Sequence, residues 1–366
     1  MGKISYSKVG DDYSTKDPIK VLAQKSAQLT SRNLLSNGFS EVLETRGESA
    51  YVWKQGKIYM ASVIEGLGTK NVVADEMRQV TGKTYYDAIA HDTVATIIND
   101  LVSVGATPLA IHAYWAIENN EWLSDKERMH DLIIGWRLAC DIAKVSWGGG
   151  ETPTLQGVMK RNQAELGGSC VGIISSKKRL IVGSKLRAGD QIILIKSNGI
   201  NANGASLVRS IAKKLSKGYK TQLPSGKMFG EAVLSKSNIY SNLVRGLLDK
   251  NIDIHYISNI TGHGLRKIMR AKQDFTYIIE TIIPPSELFQ FLQNEASMSD
   301  TDAYGTFNMG MDYALFLPEK DVLHCLKTIK QMGFSAIHAG YIEKGEKKVV
   351  IKSKNIVFGK ETLGVR

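Results

Sequence analysis

With 366 residues, the chain is long enough for about two domains and a large buried core. Hydrophobic residues make up 43% and charged residues 23% of it, as in soluble globular proteins, and no apolar run of about 18 residues predicts a membrane span. A polar start without a signal core and three scattered cysteines favour a cytoplasmic protein with reduced, buried thiols. The net charge of +11 fits attraction for phosphorylated metabolites better than nucleic-acid binding, because the basic clusters lack interleaved aromatic residues.

In chain order, the apolar pattern predicts strands and helices in both halves of the chain. It begins with a hairpin over residues 51–60 and ends in a strand–helix–strand–strand pattern resembling half of a split βαβ layout, with a hairpin turn at 344–348. The other predicted strands cover residues 58–64, 109–117, 168–175, 191–196, 312–317, 336–341 and 348–351, and the predicted helices cover residues 85–104, 126–144, 206–215, 236–250 and 320–332. This mixture predicts an α/β (α+β mixed sheet) fold of two domains, residues 1–176 and 177–366.

The most informative stretch is Glu65-Gly66-Leu67-Gly68-Thr69-Lys70, which follows the predicted strand 58–64. It places bare backbone N–H groups, an oxygen ligand for a metal and a cation at the end of a strand. Such a turn can hold a phosphorylated molecule, because glycines let the main chain approach closely. It is not a Walker A loop, which has four residues between its first glycine and its Gly-Lys pair. The same pattern also fits a simple turn between a strand and a helix.

A second polar pattern lies on the predicted helix over residues 85–104. Asp92, Thr96 and Asn99 fall within about 60° of one another at the helical repeat, and Asp100 widens this face. Asp92 and Asn99 are roughly 10 Å apart along the helix, so they could bracket a phosphate–Mg²⁺ cluster. The alternative interpretation is a solvated helix face.

Three further loops contain residues that suit a ligand. In residues 147–153, three glycines precede Glu151, which could bind a metal or a sugar, or could simply face water. Residues 197–204 precede a predicted helix, and their amides and glycines suit either an anion or an ordinary asparagine cap. Residues 260–264 form a similar turn whose His263 either titrates near neutrality or is inert.

The order of these stretches is more specific than any one of them. Together with Gly105-Ala106-Thr107-Pro108-Leu109, Ser206-Leu207-Val208-Arg209 and Thr306-Phe307-Asn308-Met309-Gly310, they resemble the aminoimidazole ribonucleotide synthetase family, also called phosphoribosylformylglycinamidine cyclo-ligase. The resemblance begins near residues 5–10 and runs to Ile351, so it covers almost the whole chain. Its wider superfamily includes selenophosphate synthetase, thiamine-monophosphate kinase and a hydrogenase maturation protein.

The resemblance implies a homodimer in which the N-terminal domains form a β-barrel across the interface, with ATP and Mg²⁺ near it. It implies ring closure of a phosphorylated small-molecule substrate, formylglycinamidine ribonucleotide, with no nucleic-acid or membrane partner. The residues that it assigns are Lys70, Asn201 and Asn203 for catalysis; Gly66, Gly68, Thr69, Lys70, Asn99 and Thr261 for the nucleotide; and Glu65, Asp92, Asp100 and Glu151 for the metal.

The chain departs from the family pattern at several of these positions. The family usually has Asp at the position of Glu65, His at Asn201, a hydroxyl residue at Ala202, Gly at His263 and Lys near Gln24, where Lys25 is adjacent. Three hypotheses follow: a cyclo-ligase with an altered site, a related ATP-using enzyme with another substrate, and a non-catalytic nucleotide-binding homologue. Resemblance of fold does not separate them, because function depends on the site.

Overall fold

The computed structural model describes residues 13–364, so the stretch 5–10 lies outside the described residues. The helices are α1 (Tyr13–Gln28), α2 (Arg32–Leu35), α3 (Lys70–Thr81), α4 (Tyr86–Val102), α5 (Lys126–Ala143), α6 (Ala205–Ala212), α7 (Phe229–Val233), α8 (Ser241–Asp249), α9 (Glu287–Glu295), α10 (Asp300–Thr306) and α11 (Val322–Gln331). The strands are β1 (Ser40–Glu41), β2 (Tyr51–Gln55), β3 (Ile58–Gly66), β4 (Thr107–Ile117), β5 (Ser146–Glu151), β6 (Ala164–Ile174), β7 (Gln191–Lys196), β8 (Tyr256–Asn259), β9 (Phe275–Ile279), β10 (Met311–Leu317), β11 (Ala336–Lys344), β12 (Lys348–Ile351) and β13 (Ile356–Gly359).

The N-terminal sheet has the strand order β1-β2-β3-β6-β4-β5. The predicted hairpin is confirmed: β2 and β3 pair antiparallel, with Gln55 opposite Ile58. Helix α4 packs against β3, β4 and β6, and α5 packs against α4. On the other face of the sheet, Ile64 is 78%, Leu109 45% and Tyr114 41% exposed. The sheet therefore presents apolar side chains to solvent on the face away from α4.

The glycine-rich stretch before Glu151 is a strand, not the flexible loop that the sequence predicted. Strand β5 pairs parallel with β4, with Gly150 opposite Ala113. A Cβ on Gly150 would lie 2.1 Å from the carbonyl oxygen of Ala113, so only glycine allows this close approach.

The C-terminal sheet has the strand order β13-β12-β9-β11-β7-β10-β8. Most neighbours are antiparallel, but β12 runs parallel to β9, so the mixed-sheet prediction is confirmed. The hairpin expected at residues 344–348 is wrong, because β9 lies between β11 and β12. The turn residues at 344–348 could not indicate that β9, from an earlier part of the chain, would lie between β11 and β12.

The core of the described residues is extensive and apolar, as the length of the chain predicts. All three cysteines are buried and free, so the prediction of buried thiols is confirmed. Among residues 13–364, no helix combines the length and the apolar character that crossing a membrane requires.

A cluster of three tryptophans lets us test the core of the N-terminal half. Trp136 on α5 is fully buried, and its ring lies 5.5 Å from that of Trp115 and 5.9 Å from that of Trp147. Trp136→Ala should cost about 3–5 kcal/mol through lost burial and a cavity. Urea unfolding followed by circular dichroism measures this loss. Ile133→Ala, on the same helix but 41% exposed, is the control and should change the midpoint little.

Candidate functional site

Two adjoining cavities lie where the two halves of the chain meet. The inner cavity has a volume of about 240 Å³ and is lined by the end of β3, one face of α4 and the loop before α6. The outer cavity has a volume of about 390 Å³ and is lined by α1, residues 47–49 and residues 261–270. The residues that line both cavities are Glu65, Asp100, Asn203, Thr261 and Lys267.

The predicted phosphate turn lines the inner cavity from Glu65 to Thr69, and its two glycines do so through their main chain. Gly68 has a φ of +71°, and a Cβ added to it would meet no neighbouring atom. Glycine is therefore favoured here by the positive φ and not by crowding. The Thr69 hydroxyl lies 3.4 Å from that of Ser206 on α6. Backbone and hydroxyl groups from both halves thus surround the same space.

Lys70 does not face either cavity, contrary to the expectation of a loop lysine that faces phosphate. It is the first residue of α3, and its side chain is fully buried in an ion pair with Asp92. Its Nζ also donates to the carbonyl oxygen of Ser235, 3.4 Å away. Asp92 in turn accepts from the backbone N–H of Ser237 at 2.7 Å. Both carboxylate oxygens of Asp92 are therefore engaged by protein donors and are not presented to a metal.

An extended segment of the C-terminal half, residues 235–240, lies along α4; we call it the strap. The ring Nε2 of His91 lies 2.8 Å from the carbonyl oxygen of Ser237. Asn99 donates through Nδ2 to the carbonyl oxygen of Asn238 at 2.8 Å and accepts from the N–H of Tyr240 at 2.9 Å. These contacts explain why the helix predicted over 236–250 begins only at Ser241.

The polar face of α4 is thus neither solvated nor a bare metal cluster. Asp92 and Asn99 are buried and bracket the strap, which satisfies backbone groups that would otherwise be buried without partners. Asn99 and Thr96 also line the inner cavity. The partner of this helix face is a peptide segment.

Glu65 and Asp100 form a pair of carboxyl groups between the two cavities. Burial, and then the negative charge of Asp100, raise the pKa of Glu65 to about 8. Asp100 accepts a hydrogen bond from Asn259 at 2.7 Å. Two carboxylates facing one space suit a divalent cation shared with phosphate oxygens, since Mg²⁺ is commonly bound by one or two carboxylates and substrate phosphates.

No larger metal cluster is present in the described part of the chain: no group of three or more His, Cys, Asp or Glu side chains could hold an ion. Glu151 is exposed at the end of β5 and lines neither cavity. Of the four residues assigned to the metal, the structure therefore brings together Glu65 and Asp100, and it separates Asp92 and Glu151 from them.

The loop before α6 is hydrogen-bonded to Asn308, within the motif at residues 306–310. Asn308 donates to the carbonyl oxygen of Gly199 at 2.9 Å and accepts from the Ser197 hydroxyl at 3.2 Å. Asn201 has a φ of +58° and donates through Nδ2 to Asp312 at 2.9 Å. Its Oδ1 is buried without a hydrogen-bond partner. The loop thus presents Asn201, Ala202 and Asn203 to the inner cavity.

Asp312 is a buried acid that sequence reasoning missed. It lies on β10 and accepts hydrogen bonds from Asn201 and from the hydroxyl of Tyr240, the last residue of the strap. Burial raises the pKa of Asp312 to about 6. No local pattern could identify it, because its partners come from distant parts of the chain.

Lys267 is the second residue that sequence reasoning missed. Its Nζ donates to the hydroxyl of Thr261, and burial together with Arg270 lowers its pKa to about 8. The one available signal was a lysine close behind the turn at residues 260–264. Burial and nearby cations lower the pKa of His263 to about 2, which favours the inert alternative over titration near neutrality. Gln24 lines the outer cavity, whereas the adjacent Lys25 does not.

Removing one partner of the Lys70–Asp92 pair should destabilise the protein strongly. Lys70→Met leaves a buried carboxylate without its cation, which typically costs about 3–5 kcal/mol. Lys70→Met/Asp92→Asn should recover most of this loss in urea unfolding. The control is Arg137→Met, which breaks an exposed pair with Asp141 and should cost less than about 1 kcal/mol. A Lys70→Met variant as stable as the wild type would show that the pair does not form.

Comparisons with known proteins agree with this architecture. Residues 47–174 match the family model described as AIR synthase related protein, N-terminal domain, and residues 187–353 match its C-terminal domain. A Methanosarcina barkeri protein named phosphoribosylformylglycinamidine cyclo-ligase is 32% identical over 330 residues, which is 88% of this chain and 92% of that protein.

Solved structures share the fold at low sequence identity. AaThiL complexed with AMPPCP and TMP superposes with a TM-score of 0.59 at 13% identity, covering 85% of this chain and 89% of that one. Hydrogenase maturation protein HypE in complex with ATP has a TM-score of 0.56 at 17% identity, covering 74% and 78%. Because the family models span most of both halves, the chain belongs to the AIR synthase related protein family.

Proposed function

We propose that the protein catalyses the ATP-dependent ring closure of formylglycinamidine ribonucleotide to aminoimidazole ribonucleotide, a step of purine biosynthesis. The observation that carries this proposal is the junction of the two cavities, where a glycine-rich turn, two carboxyl groups and a lysine meet. The similarity to a protein named cyclo-ligase over 88% of the chain supports it. In this proposal, the residue ranges 1–176 and 177–366 are the two domains.

We assign the ATP phosphates to the inner cavity and the substrate to the outer cavity. The inner cavity offers the backbone of residues 66–69 and the hydroxyls of Thr69 and Ser206, which suit phosphate oxygens. The outer cavity offers polar side chains, including Gln24, Ser49 and Arg270. Both cavities open on Glu65 and Asp100, so nucleotide and substrate would meet beside this pair.

The proposed reaction requires the protein to align the reactants and to balance the charge of the phosphates. The amide oxygen of the substrate attacks the γ-phosphorus of ATP, ADP leaves, and the amidine nitrogen then closes the ring and expels phosphate. Glu65 and Asp100 would hold Mg²⁺, which neutralises charge on the phosphate oxygens when it is bound. The turn over residues 66–69 would orient the phosphates with its backbone, and Asn203, at the junction, would contact the substrate.

A second candidate is a related ATP-using enzyme with another substrate. Asn201 stands where the family usually has His, and its Nδ2 is committed to Asp312, so it supplies no general acid or base. Glu65 is one methylene longer than the usual Asp. One structure with this fold, AaThiL complexed with AMPPCP and TMP, holds a ligand other than formylglycinamidine ribonucleotide.

Substrate-dependent ATP turnover separates the two candidates. Purified protein is given ATP and Mg²⁺ with and without formylglycinamidine ribonucleotide, and ADP and aminoimidazole ribonucleotide are measured. We expect both products only when the substrate is present. Complementation of a purine auxotroph that lacks the cyclo-ligase is the matching test in cells. Soluble protein that binds ATP but neither forms the product nor rescues growth would refute the cyclo-ligase proposal and favour the second candidate.

We also propose a homodimer formed through the exposed face of the N-terminal sheet. Uncovered apolar side chains such as Ile64, Leu109 and Tyr114 make an exposed patch of the kind that marks an interface. Ile64→Lys should convert a dimer into a monomer in sedimentation or light-scattering measurements. Leu323→Lys, at an 82% exposed site on α11, is the control and should leave the dimer intact. A monomeric wild-type protein at micromolar concentration would contradict the proposal.

A further inference from the structure

Lys267 is the one basic residue, among those described, that lines both cavities. Its side chain is enclosed at the junction, beside Glu65 and Asp100. The backbone is also held in place, because the Ser258 hydroxyl donates to the carbonyl oxygen of Lys267 at 2.6 Å. The ammonium group is therefore positioned before any ligand binds.

The other cations near the junction have partners of their own. Lys70 is buried in its ion pair with Asp92 and lines neither cavity. Arg270 lines only the outer cavity, and its two terminal nitrogens each donate at 2.8 Å, to Ser49 and to the carbonyl oxygen of Gly47. An ammonium group has three donor hydrogens, and one from Lys267 is directed to Thr261, which also lines both cavities.

We propose that Lys267, and not Lys70, is the catalytic lysine that contacts the phosphoryl group as it passes from the inner to the outer cavity. This assignment rests on the proposed function. A bond forms between the substrate amide oxygen and the γ-phosphorus, while the bond from this phosphorus to the ADP oxygen breaks and its electron pair stays on ADP. Lys267 gives up no proton: its N–H groups donate to the non-bridging oxygens and balance their charge.

Binding of ATP and adenosine tests the contact without requiring turnover. Both ligands are titrated by calorimetry in EDTA, so that no divalent metal contributes. Lys267→Met should weaken ATP binding about 10- to 100-fold, as expected for loss of a charge-assisted hydrogen bond, and should change adenosine binding less than about twofold. Lys267→Arg should keep most of the ATP affinity because the cation remains. If Lys267→Met fails to fold by circular dichroism, Lys267→Gln takes its place.

A paired variant separates direct contact from simple charge balance. Lys267→Met/Glu65→Gln removes the ammonium group together with the carboxyl group beside it, so no negative charge can develop at position 65 when the cation is missing. If Lys267 contacts phosphate, the double variant should still bind ATP at least about tenfold more weakly than the wild type. Recovery of wild-type affinity would overturn the proposal, because Lys267 would then only neutralise Glu65.

The same titrations separate this proposal from the proposed function. A wild-type protein that binds ATP but forms no aminoimidazole ribonucleotide refutes the cyclo-ligase reaction, while the Lys267 series still reports the phosphate contact. A Lys267→Met variant with unchanged ATP affinity overturns the assignment even if ring closure is observed. Failure of the wild type to bind ATP both in EDTA and in the presence of Mg²⁺ would overturn both.

Discussion

The attachment of the strap to α4 is the interaction on which the site depends. Asp92 and Asn99, with His91, bind the backbone of residues 235–240 and so fix the C-terminal half against the N-terminal helix. The cavities lie beside this attachment and draw their walls from both halves. A buried Asp92 would be costly alone, and the buried ammonium of Lys70 supplies its compensating charge. The Lys70–Asp92 pair thus stabilises the attachment of the strap without lining either cavity.

The junction of the cavities concentrates charge that the protein only partly compensates. Glu65 and Asp100 repel each other, and burial strengthens this effect, so the pKa of Glu65 rises to about 8. Lys267 offsets part of the negative charge, and burial lowers its own pKa to about 8. A raised pKa of an acid beside a lowered pKa of a lysine is typical of functional sites. Such groups can respond to the charge of a ligand when it binds. The junction is thus suited to a phosphorylated ligand with its cation.

Much of the fold could be predicted from local pattern. The strands β7 and β12 have the predicted bounds, and the ends of α4 and α5 lie within two residues of prediction. The failures share one cause. Strand β5 depends on pairing with β4, and the start of α8 depends on α4 holding the strap. In both cases long-range hydrogen bonds override the local preference of the residues.

The amino-acid sequence by itself determined the family resemblance, the mixed α/β class and the glycine-rich turn at the end of β3, because these follow from local order and spacing. Tertiary structure alone decided what each polar group contacts. It placed Lys70 in the interior, Asp92 and Asn99 on the strap, and Lys267 at the junction. The physical reason is that the role of a charged or amide group depends on its partners and its burial, and these are contributed by residues far away in the chain.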